Sequence, residues 1–186
     1  MTEQISISKA FKVVGKTLSF RNACLKDADF ILSLRTNPKK SQYLSLVSND
    51  LAEQQAWLIR YEKTKDQAYF IIEKQGEKIG TVRLYDPQDV SFCWGSWILI
   101  DGCHPNAAME SALMVYAYAI DYLGFNSAHF DVRKENMRVW KFHERFGAIR
   151  VKETDLDYLY RVELPLIQAA RQRYEKFLPE GVKVIF

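Results

Sequence analysis

From Asn106 to Leu123 the chain runs through eighteen residues of which, after Asn106 itself, only Glu110, Ser111 and Asp121 are clearly polar. A helix so apolar on nearly every side has no face to give to water, so sheet and neighbouring elements must cover it. A chain of 186 residues, 48% of them hydrophobic, is long enough to bury it in one large core. The helix pattern follows a strand-like stretch, Val90 to Ile100, through a short polar bend, and ends at Gly124, where a left-handed C-cap is expected. Where a buried strand hands over to a helix, free backbone N–H groups collect and suit an anion. Taken alone, such a bend is more often a plain helix start, here with Asn106 as N-cap and His104 exposed.

The remaining chain alternates between strand and helix periods. Thr17 to Ala23 has the alternation of a half-buried strand, and the helical spacing of Phe30, Ile31 and Leu34 stops before Pro38. Capping residues precede a second helix over Leu51 to Lys63. Gln67 to Asp86 reads as a hairpin around Gln75 to Glu77, with Gly76 supplying the permissive dihedrals; a third strand follows an Asp86-Pro87 turn. After the buried helix come a strand in Ser127 to Arg133, a short helix closed by Gly147, and a closing antiparallel pair in Ala148 to Glu153 and Asp157 to Leu164. An extra helix is expected over Leu164 to Phe177, before the tail. This order predicts an α/β protein with a mixed sheet.

Charge and cysteine content exclude several classes. The 26 basic and 23 acidic residues are interspersed, without the clustered excess that phosphate backbones require, so no nucleic acid partner is expected. Cys24, Cys93 and Cys103 share no C-x-x-C spacing, which argues against a disulfide framework or a structural metal. No eighteen-residue apolar segment free of charge is present and Met1 to Gly15 is polar, so neither membrane insertion nor export is expected, and a cytoplasmic setting is inferred.

The strand–bend–helix, followed by "FDVRKENMRVWKFHERFGA", resembles the GNAT superfamily of acetyl-CoA-dependent N-acetyltransferases. The most specific element is Asn136 followed eleven positions later by Gly147, although Ala148 stands where the family pattern has Phe. The resemblance implies a mostly antiparallel central sheet with helices on both faces. It also implies a single domain over residues 1–186, with a core of about 17–164, an N-terminal extension of 1–16, and a C-terminal helix and tail of 165–186. It further implies acetyl-CoA as co-substrate, with no metal. The family's pyrophosphate bend falls on Cys103, His104, Pro105, Asn106, Ala107 and Ala108, running into Met109. Cys103 replaces a basic or amide residue and Asn106 replaces a glycine; main-chain donors and the helix dipole survive both changes, and Asn tolerates left-handed dihedrals.

By the same resemblance, the strand before the bend splays from its neighbour and offers N–H groups near Trp97, Ile98, Leu99 and Ile100 to the thioester, with Gly95 marking the distortion. Asn136 would contact the coenzyme arm or cap its helix. His143, seven residues on, takes the place of the tyrosine that protonates the departing thiolate; an ordinary imidazole titrates near neutrality, and the competing reading is a packed core histidine. The splayed strand has no carboxylate, so the base is water, His143 or an acid from elsewhere: Asp131, Asp86 or Asp89. Ser96 and Trp94 could order a water. Arg35 and Asn37 lie in the region that walls the acceptor site, where a guanidinium suits a phosphate or carboxylate. Arg35, His104 and the aromatics Tyr43, Tyr69, Phe92 and Trp94 could line a pocket that stacks and binds a phosphorylated, ring-shaped acceptor.

The pattern near the start looks like the branch holding ribosomal-protein N-terminal and nucleotide-sugar amine acetyltransferases. The first reading is acetyl transfer to the primary amine of a small molecule, such as an aminosugar nucleotide. The alternatives are protein N-terminal acetylation and a silent acyl-CoA-binding domain. Monomer and homodimer both remain open; the aromatics of Phe177 to Phe186 would cover a second subunit or fold back on their own chain.

Overall fold

Apolar residues at every second position bury one side of a strand, and here they do so on both sides of a single sheet. The computed structural model describes residues 5–186, so the first four residues of the expected N-terminal extension lie outside the described part. Nine strands, β1 (Lys12–Val14), β2 (Ser19–Asn22), β3 (Ala68–Lys74), β4 (Glu77–Gln88), β5 (Ser91–Leu99), β6 (Ser127–Arg133), β7 (Ile149–Glu153), β8 (Asp157–Glu163) and β9 (Lys183–Ile185), form one sheet in the order 7-8-6-5-4-3-2-1-9. Every neighbouring pair is antiparallel except β5 and β6. The helices are α1 (Ala28–Arg35), α2 (Pro38–Ser41), α3 (Leu51–Lys63), α4 (Ala107–Ala117), α5 (Met137–Arg145) and α6 (Leu164–Arg173).

The apolar helix lies where its composition requires. From Ala112 to Ala119 every residue of α4 and its extension is at most 2% exposed. On that face Phe70 packs edge-on to Tyr118, while Phe92 and Trp94 pack against Tyr116. Tyr69 and Ile71, alternating with Phe70, point the other way and meet Ile31 of α1 and Leu58 and Tyr61 of α3. Helices therefore cover both faces of the sheet. Among the described residues no helix is long and apolar enough to cross a membrane.

Several local expectations change. The helix after the bend begins at Ala107 and ends in a π-helical turn, Tyr118–Tyr122, closed by the Leu123 amide on the Tyr118 carbonyl at 3.2 Å. Gly124 then takes φ +85°. Asn106 is right-handed (φ −77°), and Gly102 supplies the positive φ of the bend at +75°. The Asp86-Pro87 pair is not the β4–β5 turn: it sits inside β4 at an irregularity, with Asp86 at φ +48°, and the chain reverses at Asp89 and Val90. A bulge tolerates proline because it needs no ladder donor there. The expected Leu164 to Phe177 helix breaks after Arg173 and resumes as a 3-10 turn over Glu175–Phe177. The tail folds back on its own sheet, where Val184 pairs with Val13 and Phe186 lies 6.5 Å from Tyr118 between ring centres.

The distortion expected near Gly95 is a bulge one residue later. Arg83 pairs with Gly95 and Thr81 with Ile98, so Ser96 and Trp97 together oppose Val82, and Ser96 takes φ +47°. The buried Thr81 hydroxyl pins the bulge by donating to the Ser96 carbonyl at 2.8 Å. Gly80 lets the strands close beyond it, since a Cβ there would stand 2.3 Å from the Ile98 carbonyl oxygen. We expect Gly80→Ala to push β5 away and destabilise the fold by about 1–3 kcal/mol, read as a lower urea midpoint at unchanged m-value.

Candidate active site

Strands β5 and β6 pair only at Ser91–Ser127, Phe92–Ala128 and Cys93–His129. Beyond Cys93 they diverge, and the β5 amides that point away from β4 lose their strand partner. A cavity of about 360 Å³ fills the seam. It is lined by eight of the expected residues: Arg35, Tyr43, Trp94, Ser96, Trp97, Asp131, Asn136 and His143. Six structural elements (α1, β4, β5, β6, α5 and β8) and the α2–α3 loop thus meet at one place.

His143 is 5% exposed in an aromatic cage, 4.2 Å from Phe130 and 5.1 Å from Trp94 between ring centres. Its Nδ1 is buried with no hydrogen-bond partner. Burial in this apolar setting pushes its pKa down to about 3. The ordinary titration near neutrality expected for this residue is therefore lost: the imidazole stays neutral at physiological pH, able to accept a proton or offer a neutral N–H but not stored as imidazolium.

Asp131 is exposed at the mouth of the seam and forms no ion pair among the described residues. Of the other acids considered, Asp86 faces His129 at 3.2 Å, and neither it nor Asp89 lines the seam cavity. Ser96 is held by Arg35, whose Nη1 donates to its hydroxyl at 3.2 Å, while Nη2 donates to the carbonyl and hydroxyl of Ser45. Asn37 is not at the cavity; its side chain caps α2 by accepting from the Lys39 amide. Asn136 precedes α5 without a side-chain cap bond, so its side-chain amide is free at the seam, while its backbone N–H donates to the Arg133 carbonyl at 2.9 Å.

The bend continues from the seam. Ile98, Leu99 and Ile100 carry the chain out of it, with the Leu99 carbonyl accepting from Lys40 Nζ at 2.6 Å. Trp97 donates through Nε1 to Ser111 Oγ at 3.1 Å, fastening the bulge to α4. Within the bend His104 stays exposed and closes its own turn: its Nδ1 accepts from the Asn106 amide at 3.2 Å and its carbonyl from the Ala107 amide at 2.9 Å. Among the described residues this spends the Asn106 and Ala107 amides of the expected cradle and leaves those of Cys103, His104, Ala108 and Met109 without an acceptor, the last two at the N-terminus of α4. They fit an anionic group at that corner.

Sequence reading missed Tyr85, which also lines the cavity, its hydroxyl 3.1 Å from where a Gly95 Cβ would stand. Alternation with the buried Val82 and Leu84 places Tyr85 and Arg83 together on the opposite face, a signal that was present. Arg133 and Asp157, paired at 3.5 Å, also line the cavity.

The buried imidazole has a consequence for stability. Unfolded, His143 would bind a proton below about pH 6.5; folded, it does so only near pH 3, so its contribution is absent above pH 6.5 and increasingly unfavourable as pH falls from there. In NMR titration the His143 ring protons should not shift between pH 5 and 8, and His143→Phe should lose less stability than the parent between pH 7 and 5.

A family model described as an acetyltransferase (GNAT) domain matches residues 17–149. A solved structure titled apo FdhC, a nucleotide-linked sugar GNAT, is 35% identical, aligned over 94% of this chain and 99% of that one at TM-score 0.78. A GCN5-related N-acetyltransferase from Brucella melitensis shares the fold at 19% identity, over 96% and 91% of the two chains, with TM-score 0.75. The spermidine/spermine N-acetyltransferase SpeG from Vibrio cholerae does so at 15%, over 82% and 97%, with TM-score 0.64. No match was found among curated protein sequences. With the splayed parallel pair, the bulged strand and the apolar helix behind its bend, this chain belongs to the GNAT family of acetyltransferases.

Proposed function

We propose that the protein transfers an acetyl group from acetyl-CoA to the primary amine of a nucleotide-linked sugar, by direct attack with both substrates bound. The observation that carries this reading is the seam cavity, which brings a free carboxylate, a neutral imidazole, partnerless strand amides and a guanidinium to one opening. The 35% identity to a protein described as a nucleotide-linked sugar GNAT supports the acceptor class.

Acetyl-CoA supplies the acetyl group as a thioester. The Ala108 and Met109 amides would hold its diphosphate at the positive end of α4, and Asn136 would meet the pantetheine arm in the seam. The unpaired amides around Trp97 and Ile98 aim at the carbonyl oxygen, where negative charge develops as the amine attacks. An alkyl ammonium must first lose a proton, and Asp131 at the solvent-facing mouth is placed to take it, directly or through a water. His143 stays neutral and presents a hydrogen bond to the departing sulfur, which leaves as a thiolate and is protonated from solvent. Nitrogen loses two protons overall, one to Asp131 before attack and one to water as the tetrahedral intermediate collapses; sulfur gains one and the other is released to solvent. Arg35, tied to the bulge through Ser96, orients the acceptor beside the carbonyl.

Nucleotide-linked amino sugars offered with acetyl-CoA should release free thiol, whereas peptides with free N-termini should not. The reverse preference would sink the acceptor assignment. Asp131→Asn should lower kcat about a hundredfold with the KM for acetyl-CoA unchanged. The opposite split, a raised KM at constant kcat, would remove Asp131 from proton transfer.

A further inference from the structure

Beside the seam, on the α3 side of the sheet, lies a second cavity of about 350 Å³, within the range of small-molecule sites of ~300–1,000 Å³. It shares Arg35, Ser45, Tyr85 and Ser96 with the first, so the two adjoin across Arg35. Its own walls are Arg83, Trp57, Tyr69, Gln54 and Val47.

The charge here is one-sided. Arg83 is half-buried, its guanidinium 5.4 Å from the Trp57 ring centre and 4.7 Å from that of Tyr85. Its side-chain bonds go to the neutral Gln67 Oε1 through Nε and Nη2. Arg35 bonds only serine oxygens. Among the described residues neither guanidinium has a carboxylate within ion-pair distance. Burial and the like charge of Arg35 both pull the Arg83 pKa below its ordinary value. A half-buried cation left without a counter-charge is still partly desolvated, and structural arginines are ordinarily paired. Between the two stands Tyr69, 3% exposed, whose hydroxyl is buried without a hydrogen-bond partner. Two uncompensated guanidiniums, an idle phenol donor and flat aromatic walls together describe a hole for a multiply charged anion carried by a ring system.

We propose that Arg83, Arg35 and Tyr69 form a diphosphate subsite, in which the acceptor's diphosphate is held while its nucleoside lies along Trp57 and its amine reaches the seam. The proposal rests on the acceptor reading above and adds the residues that select for it. Arg35 is the shared wall, close enough to the bulge to set the distance between the anchored phosphate and the attacked carbonyl. Coenzyme A uses a different corner, at the start of α4, so filling one diphosphate position leaves the other open.

The test separates the two. Inorganic pyrophosphate and uridine diphosphate are titrated calorimetrically into the full chain with coenzyme A saturating. Both should bind, more weakly as salt is raised, with uridine diphosphate the tighter of the two. Arg83→Met should weaken both about tenfold or more, Arg83→Lys should recover part of the loss, and coenzyme A affinity should be unchanged. Tyr69→Phe guards against a folding artefact: it removes an unpartnered hydroxyl, so thermal stability should hold or rise while pyrophosphate affinity falls severalfold. No binding at millimolar pyrophosphate, or binding indifferent to both positions, overturns the subsite even if amino sugars are acetylated. Binding that depends on Arg83 in a protein that acetylates no nucleotide-linked amine supports the subsite and overturns the acceptor reading instead.

Discussion

The parallel pairing of β5 and β6 lasts for three residue pairs and then stops, and the site depends on that interruption. A sheet otherwise antiparallel and continuous would have filled the position with ladder hydrogen bonds. The Ser96 bulge turns β5 away, Thr81 locks the turn, and Gly80 allows β4 to follow without a gap. Amides that would have been paired are left facing a cavity, and the residues on either bank face each other across it. The same departure from regular pairing that weakens the sheet locally creates the room for chemistry.

Burial then divides the ionisable groups by role. His143, enclosed by Trp94, Phe130 and Phe142, is held neutral. Asp131, on β6 at the mouth of the same seam, keeps its carboxylate toward solvent. Elsewhere the chain compensates its buried charges carefully. Asp27, 1% exposed, has both Arg21 and Lys78 against it, which holds its carboxyl well below the usual range. The Glu110 carboxylate accepts from the Thr17 amide, the Thr17 hydroxyl and the Leu18 amide. Against that background the unpaired guanidiniums of Arg35 and Arg83 stand out, because the rest of the molecule shows how its structural charges are treated.

Much of the site was legible before any coordinates. The spacing of Asn136, His143 and Gly147, the glycine inside the strand and the arginine at the end of α1 each led to residues that line the seam or bound it. What failed was local conformation. Asn106 was expected to take left-handed dihedrals, yet Gly102 does so, because a glycine four residues earlier bends the chain at lower steric cost. Asn37 looked like a substrate contact and is spent on a helix cap. The Asp86-Pro87 pair carries the composition of a turn but sits in a bulge, since strand pairing with β5 continues past it to Gln88.

The chain's periodicities alone determine that a fully apolar helix must be roofed, that strands and helices alternate, and that an α/β sheet results. These are properties of side-chain sequence within one element, where burial follows from spacing. Strand β9, three residues long and far along the chain from its partner, carries no such local signal and exists only because β1, already paired with β2, offers it an open edge. The depressed pKa of His143 and the meeting of Arg35, at the end of α1, with Arg83 of β4 around one cavity likewise belong to the tertiary structure. Desolvation and charge proximity depend on which elements meet, and no single stretch of sequence holds that information.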